Sequence, residues 1–301
     1  MKSPHDPKAE AQTTAAFTRI ELLAVVAAVS LVASVLLPAL GRETSRDSRV
    51  FCLFRMNRLA QAMTLYAQDS RDWLPPNPDD GNTTPFWNWV GGQAGVGGAQ
   101  EFNPDILRDP THALLTPYLQ GDISVYRCSM DQRMGLYQGT NPTLKGTKVP
   151  AARTVSMNSA VGTLPDFGGK SPVYGPWLSG SHNDAVSATW FCYGRMSDFV
   201  RPGPAATFTF IEEDANSIND GVFSCVGPSS PQLYRMIDWP ATYHDMAGGV
   251  SFADGHAEMH RWLDTRTRIV NGNVSPGTQP NNPDIAWLAQ RTSALIVPPA
   301  N

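Results

Sequence analysis

Three sets of side chains have types and spacings that could do chemistry. His256, Glu258 and His260 alternate along HAEMHRWL, so on a strand all three project from one face. With His244 upstream they offer the nitrogen and oxygen donors of a zinc site, the starting point for a metal-dependent hydrolase; a solvent-facing strand reads the same way. Glu212, Glu213, Asp214, Asn216, Asn219 and Asp220 follow the apolar run TFTFI. Oxygen donors gathered in a loop suit calcium, with Asp214, Asn216 and Asp220 as candidate ligands. Ile218 takes the next ligand position and Gly221 falls late, so the loop is not an EF-hand. Four cysteines, Cys52, Cys128, Cys192 and Cys225, form no C-x-x-C motif. They permit three pairings, of which Cys52 with Cys128 and Cys192 with Cys225 is preferred, and buried thiols are the alternative. No Ser-His-Asp signature, phosphate loop or dinucleotide fingerprint is present, so an enzyme is not expected; no cofactor is expected either, calcium being the candidate if one is held.

A fourth position stands out for where it lies. Glu21 heads Leu22–Leu40, nineteen residues without a charge. As a helix that run is about 28 Å long, close to the ~30 Å of bilayer hydrocarbon. A carboxylate in a membrane segment costs roughly 2.5–3.5 kcal/mol and calls for a partner. Cleavage after Ala16 would supply one, the new α-amino group of Phe17, on the same chain or a neighbour.

The elements that position these groups follow from pattern. Beyond Leu40, Cys52, Met56, Leu59, Met63 and Tyr66 recur at four, three, four and three, one apolar helical stripe. The pattern predicts an interrupted helix from about Thr18 to Asp69, with Pro38 and Gly41 as the kink. From Ser70 the chain turns rich in Pro, Gly, Asn and aromatic residues, a long loop. PTHALLTPYLQ reads as a short helix, and VYRC, RTVSMNSAV, ATWFCYG, ATFTFIEED and GVFSCVG as short strands. VSFA and HAEMHRWL read as two strands joined at Asp254-Gly255, a two-residue hairpin turn. DIAWLAQRTS predicts a terminal helix. Net charge is −4 with 17% charged residues, which gives no basic field for nucleic acid.

FTRIELLAVVAAVSLVASVLLPAL resembles the processing segment of type IV prepilins and type II secretion pseudopilins. In that family a leader is removed before a Phe, the fifth mature residue is Glu, and Pro often stands at the twenty-second. Phe17, Glu21 and Pro38 hold those offsets, while Ala16 replaces the usual Gly before the cut. His244, nine intervening residues and Asp254-Gly255 resemble the processing-associated H-x9-DG domain found behind such N-termini, and VYRCSMD, SMN and FIEEDANSINDGVF resemble it further upstream. Within that motif His244 is expected as a structural hydrogen-bonder pinning its loop to the Asp254 turn.

The resemblance implies a pilin-like α+β fold: a leader over 1–16, a long helix over 17–69 with its membrane part at 17–40, and a globular domain over 70–263 on an antiparallel sheet. A polar tail covers 264–301. It implies cleavage and N-methylation at Ala16/Phe17 by prepilin peptidase, and assembly with other pilin-like subunits through Glu21. It also implies a single pass through the inner membrane with the globular domain outside; counting Arg42, Arg46 and Arg49 alone would suggest the reverse orientation. A surface module gripping a glycan with Phe86, Trp87 and Trp89 is the alternative, and a tethered hydrolase using His244, His256 and His260 a further one.

Overall fold

The computed structural model describes residues 19–165, 169–182, 189–227, 230–269, 272 and 277–297. The expected leader, with Ala16 and Phe17, lies outside the described residues, as do the side chains of Glu21 and of residues 32–47, including Pro38. The chain divides into two units, Met1–Arg46 and Asp47–Asn301.

Helix α1 runs Arg19–Asp69. In the first unit its described apolar side chains face outward on every side: Ile20 is 80% exposed, Leu23 68%, Val29 62% and Leu31 71%. Among the described residues no helix is long and apolar enough to cross a membrane. In the second unit the stripe Cys52, Met56, Leu59 and Met63 is buried, joined by Ala60, Ala62 and Ala67. The helix stops where Arg71 and Asp72 take positive φ, and the amides of Ser70 and Asp72 both cap the Ala67 carbonyl.

The stripe packs on a five-stranded sheet made of β3 (Val155–Asn158), β4 (Phe208–Glu212), β5 (Val222–Phe223), β8 (Ala247–Phe252) and β9 (Ala257–Arg261). The strand order is β5-β3-β4-β8-β9. The fold is α+β, but the sheet is mixed, because β3 and β5 run parallel while the other pairs are antiparallel. Two small hairpins flank it: β1 (Met134–Leu136) with β2 (Lys148–Pro150), and β6 (Cys225–Val226) with β7 (Arg235–Met236). A four-residue helix, α2 (Asp105–Arg108), lies in the long loop.

The two faces of the sheet carry two cores. Met56, Leu59 and Met63 meet Trp89, Tyr126, Val155, Met157 and Phe210 on one side. On the other, Phe208, Ile211, Val250, Phe252 and Trp262 meet Ile285 and Leu288 of α3 (Pro283–Thr292). Phe208 and Phe210 are two apart on β4 and would share a face in a regular strand. They point to opposite cores because the register with β8 shifts between them, a bulge that re-aims the residues after it. Helix α3 starts at Asn282, whose side chain accepts from the amides of Asp284 and Ile285, followed by Pro283 at its first turn.

Three expected elements differ. VYRC is not a strand, for Ile123–Tyr126 forms a 3-10 turn nucleated by the Asp122 carboxylate accepting from the Ser124 amide. PTHALLTPYLQ yields a 3-10 turn over Thr116–Leu119, ended by left-handed Gln120. The described part of ATWFCYG makes isolated bridges, Trp190 to Leu295 and Tyr193 to Val161, rather than a ladder. At the hairpin, the Phe252 amide donates to the His256 carbonyl, so the loop is Ala253-Asp254-Gly255, three residues and not two. Gly255 takes φ 92°, the left-handed position that a three-residue loop requires.

Candidate functional site

The bulge that turns Phe210 toward α1 turns Glu212 the same way, since the two are separated by one period of the strand. Glu212 meets three residues from distant parts of the chain: Cys52 on α1, Cys128 in the loop after the 3-10 turn, and His244 just before β8. All four are at most 1% exposed. Their ligand atoms lie within 4.8 Å of one another. Cys52 Sγ is 3.1 Å from Cys128 Sγ, which is 3.2 Å from His244 Nε2, which is 3.7 Å from Glu212 Oε2.

Three of the four are held from behind. The Cys128 amide donates to Thr154 Oγ1, and Cys128 Sγ accepts from the Met130 amide. The Gly249 amide donates to Glu212 Oε2 at 2.9 Å. A Cβ at Gly249 would lie 3.0 Å from Met56 Cγ and 3.4 Å from Glu212 Cδ, so this position keeps α1 close to the carboxylate. His244 is fixed by its backbone, its amide donating to the Ala247 carbonyl across a turn in which Asp245 and Met246 both have positive φ. Arg49, one turn before Cys52 on α1, donates to the His244 carbonyl at 3.0 Å.

The electrostatics are those of a closed, dry cluster. Burial pushes Glu212 up to about 7, helped by the nearby Cys52 sulfur and opposed by His244. The Cys52 thiol is pushed down, chiefly by its hydrogen bond with Cys128, and the Cys128 thiol is pushed up by the same bond and by burial. For His244, burial works against the charged form, but contact with Cys52 and the charge of Glu212 outweigh it and raise the imidazole above its ordinary value. Its Nδ1 is buried and has no hydrogen-bond partner among the described residues, so the ring's polar contacts are all made through Nε2 toward the cluster. Two sulfurs, one imidazole nitrogen and one carboxylate are a donor set that a borderline-soft metal ion accepts.

The other candidates fall elsewhere. His244 does not pin its loop to the Asp254 turn: the whole of β8 lies between them, about 20 Å of strand. Asp254 instead accepts from the amide and Nδ1 of His256. His244, His256 and His260 do not converge. His260 pairs with Gly248, one residue out of phase with Gly249, and so lies on the α3 face, stacked on Trp287 at 3.7 Å between ring centres. His256 stacks on Phe252. Of the calcium candidates, Asp214 accepts from the amide and side chain of Asn216, while buried Asp220 accepts from the Val222 amide. Neither Asp214 nor Asp220 joins a converging set of three among the described residues. Cys52 and Cys128 are adjacent as thiols. Cys192 and Cys225 form no disulfide, because Cys225 sits in the α3-side core while Cys192 precedes Tyr193, whose ring stacks on Phe199 in the opposite core.

A cleft of about 580 Å³ opens beside the long loop. Trp87, Tyr174 and Trp177 line it with Asp79, Asp80 and His182. Asp80 and Asp79 accept from the indoles of Trp87 and Trp177, at 2.7 and 2.8 Å. Of the aromatic trio expected to grip a polymer, Phe86 is 62% exposed and Trp87 lines the cleft, but Trp89 is core, its indole donating to the Gly221 carbonyl.

Sequence reasoning missed Cys128 and Glu212 as neighbours of His244. The available signal was Glu212, an ionisable residue ending a strand that is otherwise apolar or Thr, beside a cysteine in a buried helical stripe. Site and fold together define an α+β domain with a buried thiol, imidazole and carboxylate cluster under its long helix. Searched against protein-family models, curated proteins and solved structures, the chain matches none.

Proposed function

We propose that this chain is a pseudopilin-like structural subunit of a type II secretion or type IV pilus-like filament, processed by prepilin peptidase between Ala16 and Phe17. In this reading the first part of α1 is the assembly element, resident in the inner membrane until neighbouring copies cover it, and the unit Asp47–Asn301 stays outside the membrane. Neither part is expected to be an enzyme.

The observation that carries the reading is that the described apolar side chains at the head of α1 stand exposed around the helix. Ile20, Leu22, Leu23, Val25, Val26, Val29 and Leu31 are 49–80% exposed, while residues further along the same helix are core. Burying each such side chain is worth about 1.5–3 kcal/mol, so lipid or adjacent subunits are the expected surroundings. Glu21 at the head of that run is then matched by the amine uncovered at Phe17 of a neighbour. Glu21→Val should leave membrane insertion intact and reduce incorporation into filaments by at least tenfold. Undiminished incorporation would refute the pairing.

A second reading rests on the cleft. Paired indoles oriented by carboxylates, open to one side, suit the faces and hydroxyls of a sugar polymer. Pulldown on a panel of polysaccharides with wild type and Trp177→Ala tests it, and equal retention of both proteins would exclude the cleft.

A further inference from the structure

We propose that Cys52, Cys128, Glu212 and His244 form a closed structural zinc site that fastens α1 to the sheet. The proposal stands on geometry and does not depend on the filament reading. A tetrahedral zinc with bonds of ~2.3 Å to sulfur and ~2.0–2.2 Å to nitrogen and oxygen separates its ligands by roughly 3.8 Å between sulfurs, 3.6 Å from sulfur to nitrogen and 3.4 Å from nitrogen to oxygen. The corresponding separations here are 3.1, 3.2 and 3.7 Å, so moves of less than about an ångström suffice.

Three further features favour an ion. The four ligands come from four separate segments, and each is essentially solvent-free, which fits a four-ligand structural site rather than a catalytic one with an open position. Nε2 of His244 is aimed at the sulfur and carboxylate, so the neutral tautomer with its proton on Nδ1 would present a lone pair to the cluster. Charge also balances. Two thiolates and a carboxylate carry −3, zinc supplies +2, and Arg49, bonded to the His244 carbonyl, supplies the remaining +1. Zinc uptake releases the thiol protons to solvent and changes no oxidation state.

The site's place explains its use. Cys52 is on α1, Cys128 follows the Ile123–Tyr126 turn, Glu212 ends β4 and His244 precedes β8, so one ion would tie together elements up to 192 positions apart in sequence.

The test uses the full chain, extracted in detergent under reducing, chelator-free conditions. Metal analysis should give one zinc per chain. After stripping, titration with Co(II) should reach one equivalent, with thiolate charge-transfer absorption and tetrahedral ligand-field bands that zinc abolishes. Cys128→Ser should weaken binding by at least ~100-fold, more than loss of an outer-shell partner does. Should that variant not fold, the wild-type cobalt spectrum decides alone. Failure of the reduced wild type to take up zinc or cobalt, uptake unchanged in Cys128→Ser, or peptide mapping that finds a Cys52–Cys128 disulfide in protein that binds no metal would each overturn the proposal.

Discussion

The side-chain amide of Asn57 donates a 2.5 Å hydrogen bond to the backbone carbonyl of Gly255, 198 residues away. Two turns earlier on the same helix, Arg49 holds the carbonyl of His244. The histidine and the glycine of the H-x9-DG segment are therefore both fastened to α1, one at each end of β8. The nine intervening residues are the length of chain needed to run from one anchorage to the other. The spacing measures a strand lying along a helix, not a contact between His244 and Asp254.

Gly255 should be sensitive for backbone reasons alone. Its φ is 92° and nothing lies within 4 Å of where a Cβ would be, so there is room but not the right conformation. Gly255→Ala should lower stability by about 1–2 kcal/mol, and Gly255→Asn by less, because Asn tolerates left-handed backbone better. Chemical denaturation of the two variants measures both; equal stability of wild type and Gly255→Ala would contradict the loop assignment.

The stripe on α1 should behave as core. Met63 is 0% exposed and sits among Leu59, Trp89 and the other residues of the α1-side cluster. Met63→Ala should cost about 2–5 kcal/mol, whereas Leu65→Ala, at a side chain 44% exposed, should cost less than about 1 kcal/mol. Thermal unfolding of the pair separates a buried face from an exposed one.

A second buried network predicts a pH dependence. Arg153, 1% exposed, donates to the carbonyls of Val155, Gly92 and Asp220, and Asp220 faces Asp79 and Asp80 as well as Arg153. Burial pushes the Asp220 carboxyl up to about 7. Burial likewise raises Asp238, with the charges of Asp220 and Asp79 adding to it. A native group that keeps its proton to higher pH than the unfolded chain makes stability fall as pH rises through the window between the two values. For Asp220 that window runs from about 4 to about 7, with a slope of at most about 1.4 kcal/mol per pH unit. Asp220→Asn should flatten the decline. A wild-type stability constant from pH 4 to 7, or a variant as steep as wild type, would contradict the assignment.

Some of this was written openly in the chain. Cys52, Met56, Leu59 and Met63 at helical spacing marked the buried face, because a single helix reports its own burial through periodicity. VSFA, a DG turn and HAEMHRWL marked β8 and β9 for the same local reason. The cluster was hidden because nothing local encodes it. Cys128 lies 76 positions from Cys52 and 116 from His244, and Glu212 faces α1 through a bulge that strict alternation along TFTFIE does not reveal. His260 was misplaced by one residue of register: its pairing with Gly248 rather than Gly249 sends it to the opposite face from His244. Trp89 looked like a binding aromatic beside Phe86 and Trp87, but it packs against Tyr126 and Phe210 in the α1-side core with its indole on the Gly221 carbonyl.

Intact-mass and N-terminal sequencing of the chain recovered from membranes bears most directly on the filament reading. A mature polypeptide beginning at Phe17, with or without a methyl group on its amine, is the predicted result. A chain that still carries residues 2–16 would contradict it.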